Sequence, residues 1–91
     1  MDKTEMMVEA ARLVEHLTSN QLVQAKGITD RLTQDVLVTI RREVGGDPAK
    51  MELNPLWPLY ILLIRVKNSI MAGDRQCAAA ISKNLLLEVK R

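Results

Sequence analysis

Residues 22–44 read LVQAKGITDRLTQDVLVTIRREV, and within them Leu22, Ala25, Ile28, Leu32, Val36, Ile40 and Val44 recur at intervals of three or four. A helix turning once every 3.6 residues gathers those positions on one face, whereas a strand would need apolar residues at every second position. The spacing predicts an amphipathic helix over residues 20–44, which unbroken would be about 37 Å long. Gly27 is the one weak point inside it. Glycine costs about 1 kcal/mol against alanine in a helix interior, and Thr29 could cap a restarted helix, so a continuous and a kinked helix are both open on the sequence.

The same periodicity extends outward in both directions. Upstream, Met6, Ala10, Leu13 and Leu17, flanked by Met7 and Val14, form an apolar stripe, with Glu5, Glu9, Arg12 and His16 opposite. Asp2 is placed to cap that helix, with Glu5 three residues on, and Thr18-Ser19-Asn20 to end it, giving a helix over 3–18. Downstream, Gly45-Gly46-Asp47-Pro48 is a stop followed by a cap and first-turn pair. Pro55 and Pro58 then break the backbone donor pattern, so Met51 to Pro58 is expected to be irregular or a single turn.

Residues 57–72 are apolar over most of a helical circumference, with Leu59, Leu63, Val66 and Ile70 as the main stripe. This is the expected central helix. Gly73 ends it, Asp74 caps a last helix over 75–90, and Cys77, Ile81, Leu85 and Val89 are the expected buried stripe there. The fold class is therefore all-α, a four-helix bundle-like domain filling residues 1–91, dimeric or packed on a partner.

Composition agrees with that class. Of 91 residues 47% are hydrophobic, yet Phe is absent and there is one Trp and one Tyr, so the core is built from Leu, Ile, Val, Met and Ala, a palette suited to helix packing. A chain this short buries only about 60 to 70 per cent of its unfolded surface, and its core must be thin. Residues 1–35 carry six acids and four bases and residues 36–91 five acids and nine bases. The mild basic bias of the C-terminal part reads first as a solvated face.

The lone Cys77 allows neither an intrachain disulfide nor a cysteine zinc site, which points to a reducing, cytoplasmic setting. The acidic opening Met1-Asp2-Lys3-Thr4-Glu5 does not resemble a secretory leader. The longest apolar run, Leu56 to Ile64, falls short of the roughly 20 residues that span a bilayer.

Catalytic machinery is not evident, and no enzyme, cofactor or metal is expected. His16, the sole imidazole, sits among charges on the predicted wet face, without the paired histidines of a zinc helix. Cys77 lies in the first turn of the last helix, where a helix dipole favours a thiolate. Its neighbours Ala78, Ala79 and Ala80 instead suggest a small core residue. Gly45-Gly46 follows a helix and lacks the Gly-Lys-Ser/Thr of a phosphate loop.

Two binding classes are left. Apolar residues on more than one face of residues 59–64 and 85–87 exceed what four short helices cover, which favours a protein partner or a homodimer. Trp57 and Tyr60 are the expected aromatic anchors, with Leu59, Leu63 and Leu86 as apolar support, although Trp57 could equally plug the core beside the prolines. The action would be that of an adaptor, chaperone or inhibitor, by binding alone. The alternative is a nucleic-acid-binding regulator in which the hairpin Ala72-Gly73-Asp74 imitates a helix-turn-helix. There Arg75 and Gln76 would reach bases while Arg41, Arg42, Arg65, Lys67 and Lys83 touch phosphates.

Overall fold

The computed structural model describes residues 2–91, and among them every regular element is a helix: α1 Lys3–Thr18, α2 Leu22–Glu43, α3 Pro48–Met51, α4 Trp57–Met71 and α5 Arg75–Lys90. The four long helices pack in a closed cycle, α1 on α2, α2 on α4, α4 on α5 and α5 on α1. Successive long helices run antiparallel, so α2/α4 and α5/α1 form opposite faces of the molecule.

The ends of these helices follow from local chemistry. Asp2 accepts from the Glu5 amide at 2.8 Å and Asp74 from the Cys77 amide at 3.0 Å, each satisfying one free donor of a first turn. Asn20 closes α1 with φ +58°, and the Gln21 amide reaches back to the His16 carbonyl at 2.7 Å. That left-handed residue delays α2 to Leu22, two residues beyond the start expected from the periodicity. Gly73 closes α4 in the same way with φ +76°, and the Asp74 amide bonds the Ser69 carbonyl.

α2 runs without a break through Gly27, which faces outward with nothing within 4 Å of an added Cβ. The Asp47-Pro48 cap and first-turn pair opens a single helical turn, α3, and residues 52–56 after it are turns without a helix. After it, buried Asn54 accepts from the Leu56 amide at 2.9 Å and donates to Glu43 Oε2 at 2.7 Å. One side chain thus fixes both the end of α2 and the entry to α4, and with it the position of Trp57.

One hydrophobic cluster draws on all four long helices: Leu13 and Leu17 of α1, Leu32, Val36 and Ile40 of α2, Leu63 and Val66 of α4, and Leu85 and Val89 of α5. The α2 stripe is wider than its apolar residues suggest, because Thr29 and Thr33 are buried too. Their hydroxyls donate to the carbonyls of Ala25 and Thr29 at 2.8 and 2.7 Å, so neither is left unpaired.

The α5 stripe corrects the sequence expectation. The buried positions are Ala78, Ser82, Leu85 and Val89, whereas Cys77 is exposed and Ile81 is half-buried. A strict four-residue step gains about 40° on the helix at each repeat, so a stripe that ends on the core face at Leu85 and Val89 starts off it at Cys77. Spacings of four, three and four hold the stripe on that face. Ser82 is accommodated because its hydroxyl donates to the Ala79 carbonyl at 2.7 Å.

Candidate functional interface

α4 carries two apolar stripes. Leu59, Leu63 and Val66 are buried and half-buried Ile70 continues their line, which is the core face. Turned toward α2 and outward is a second line at spacings of three, four and seven: Trp57, Tyr60, Ile64 and Met71, bordered by Ile61. Trp57, Tyr60 and Ile64 are half-buried, Ile61 is 36% exposed and Met71 68% exposed. A lone helix buries one such stripe; the second is unspent.

The aromatic pair fixes the geometry of this second stripe. Trp57 and Tyr60 have ring centroids 5.1 Å apart with planes tilted by 31°, within the range of favourable aromatic pairing. Both lie against the core cluster on one side, as does Val44 at the end of α2. On the helical wheel of α2, Leu37 and Val44 project to the same side as Lys26, Asp30 and Arg41. The side chain of Lys67 reaches across to that side and lies 3.6 Å from Asp30 Oδ1. The result is a shallow apolar seam between α2 and α4.

That ion pair is more than a surface contact. Asp30 Oδ1 is shut off from solvent and has no hydrogen-bond partner, although the Asp30 side chain as a whole is 46% exposed. The Lys67 ammonium supplies the compensation that an inward-turned carboxylate oxygen needs.

The expected interface residues separate in space. Trp57 and Tyr60 share the seam, but Leu59 and Leu63 point into the core, Leu63 with 1% of its surface exposed, and so face no partner. Their place in the i, i+4 run through α4 made them look equivalent to Tyr60 and Ile64. Leu86 is half-buried on the side of α5 that packs on α1, across the molecule from Trp57. The sequence reading missed Ile64, Met71, Leu37 and Val44 as members of the same surface.

The expected nucleic-acid contacts also divide. Arg41 and Lys67 lie on the α2/α4 side and Arg65, one turn before Ser69, on the side of α4 that turns toward α5, while Gln76 and Lys83 project toward the α1/α5 side and Arg42 toward α1. Lys67 is engaged with Asp30. Arg75, the expected base-reading residue, is half-buried and donates through Nη1 to the Leu17 carbonyl at 3.0 Å. A helix whose first cation caps another helix does not present it to a groove.

His16 and Cys77 are held by different neighbours. His16 Nδ1 lies 2.6 Å from Gln21 Oε1, whereas Ser69 Oγ lies 3.4 Å from Cys77 Sγ at the α4/α5 junction. A cavity of about 330 Å³ opens at the far end, where the start of α1 meets the end of α5. Met6, Val36, Leu59 and Val89 line it, with Lys3, Asp35 and Arg91 as its charged groups, and it holds neither the imidazole nor the thiol. Among the described residues no group of three or more His, Cys, Asp or Glu is arranged to hold a metal ion, and no helix is long and apolar enough to cross a membrane.

No protein-family model, no curated protein and no solved structure matches this chain.

Proposed function

We propose that this chain is a non-enzymatic, bundle-like helical interaction module that acts by packing its α2/α4 seam against a helix of a protein partner or of a second copy of itself. The observation that carries this is the second stripe of α4, Trp57, Tyr60, Ile64 and Met71, set beside a core stripe that is already filled. Burying apolar area stabilises by about 25 cal/mol per Å², and a helix laid along the seam would cover side chains of both α4 and α2 at once. The stacked Trp57–Tyr60 pair offers the rigid aromatic area that concentrates binding energy at interfaces.

The nucleic-acid alternative is weaker because its cations are spread over opposite faces and Arg75 is committed to Leu17.

Trp57 is the only tryptophan, so its emission reports on the seam directly. Light scattering and Trp57 fluorescence over a concentration series, alone and with amphipathic helical peptides, should show a blue shift on engagement of a helix. Ile64→Glu should abolish that shift while circular dichroism stays unchanged. A chain that remains monomeric, with Trp57 emission unmoved by any helix offered, would remove this function.

A further inference from the structure

The charge around the seam identifies its partner. α4 contains no acidic residue, and of its two cations Lys67 borders the stripe on the α2 side while Arg65 turns toward α5. On the α2 side of the seam Lys26 and Arg41 face Asp30 alone. With Lys67, three cations therefore meet one acid on this seam. Asp30 is already paired with Lys67, which leaves Lys26 and Arg41 without a facing acid in the seam.

We infer, building on the interaction function proposed above, that the seam takes an amphipathic helix of a different protein, with an apolar i, i+3, i+4, i+7 ridge bordered by Asp and Glu. A second copy fits less well, because each copy would bring the same cations to the contact, and like charges facing across an interface are unfavourable. A lipid surface fits less well too. Trp57, Tyr60, Ile64, Leu37 and Val44 are each half-buried, so the seam offers a narrow apolar line that suits a ridge of side chains better than a flat headgroup layer. Duplex DNA would meet an apolar centre in which a phosphate has no partner.

The probe is a helical peptide of about 18 residues, long enough to lie along α4, with a Leu ridge and Glu flanks. It is compared with the same ridge carrying Lys flanks and with Glu flanks carrying a Gln ridge. Binding to the full chain is followed by peptide anisotropy and Trp57 emission, with anionic vesicles and duplex DNA as further arms.

The acidic peptide is expected to bind with a blue shift of Trp57, to weaken as salt rises, and to exceed both other peptides by at least about tenfold in affinity. Lys26→Glu with Arg41→Glu should erase the preference for Glu flanks while leaving the apolar contact and the helical content in place. Equal binding of the Glu-flanked and Lys-flanked peptides overturns the acidic partner but leaves the interaction function standing. So does a dimer that protects Trp57 and excludes both peptides, which would make the occupant a second copy. Tighter binding to vesicles or DNA than to the acidic peptide overturns both, as does failure of any helix, including a second copy, to move Trp57.

Discussion

The guanidinium of Arg75, in the first turn of α5, donates through Nη1 to the backbone carbonyl of Leu17 at 3.0 Å, 58 residues earlier in the chain. That carbonyl belongs to the last turn of α1, where helical geometry leaves oxygens without amide partners and concentrates partial negative charge. One cation therefore closes the end of α1 and ties it to the start of α5. Hydrogen bonds to charged groups contribute about 1.5–3 kcal/mol, less where water shares the donor, and Arg75 is half-buried. Arg75→Ala is expected to cost about 1–2 kcal/mol, and 1 kcal/mol lowers the melting temperature of a domain this size by about 4–8 °C. Thermal melts followed by circular dichroism check it. An unchanged melting temperature would show that Arg75 is merely resting on α1.

A substitution in the opposite direction is available at Gly27. α2 passes through it as regular helix, an added Cβ meets nothing within 4 Å, and its φ is not among the positive ones. Alanine there restricts the unfolded chain and supports the helix without touching a neighbour. Gly27→Ala should raise stability by about 0.5–1 kcal/mol, measured as a higher denaturation midpoint at unchanged slope. A loss of stability would mean that α2 bends at Gly27 in solution and that the bend matters.

Much of this architecture is legible in the sequence. Capping at Asp2 and Asp74, the stop at Gly45-Gly46 and the apolar faces of α1 and α2 all depend on residues within one or two turns of each other, where spacing carries the information. The legibility ends where contacts run across the fold. Arg75 reads as a surface cation until α1 is placed beside α5. The run Leu56 to Ile64 is apolar all round, so periodicity alone does not separate Leu59 and Leu63, which are spent in the core, from Tyr60 and Ile64, which are not. Only the position of α2, pinned by Asn54 to Glu43 and Lys67 to Asp30, divides that helix into two faces.

The core face of α4 can be tested by truncating one of its leucines beside an exposed leucine outside the helix. Leu63 has 1% of its surface exposed and belongs to the central cluster, so Leu63→Ala removes packed methyl groups and leaves a cavity, at a cost of about 2–5 kcal/mol. Leu53, in the turn after α3, is 82% exposed, and Leu53→Ala should fall within about 0.5 kcal/mol of the parent. Denaturant titrations of the pair give the comparison. Equal effects would mean that Leu53 is covered in solution, by a second molecule or by the chain itself.

Cys77 offers the sharpest contrast between pattern and structure. The triple alanine after it suggests close packing, but the thiol is exposed, with Ser69 Oγ at 3.4 Å as its polar neighbour. The core position is Ala78, one residue on. Two outcomes follow from that offset of a single residue. A small aromatic disulfide reagent should titrate one thiol per chain in the native state, at a rate that denaturant raises only modestly, since no unfolding is needed to reach it. Cys77→Ser should shift stability by less than about 0.5 kcal/mol, whereas Ala78→Leu, which forces three further carbons into a filled position, should cost about 1–3 kcal/mol. A thiol that reacts only after unfolding would place Cys77 on the buried stripe and rotate α5 by about 100° about its axis. That rotation would also carry Arg75 away from Leu17, so the thiol titration and the Arg75→Ala melt test the same helix orientation from its two sides.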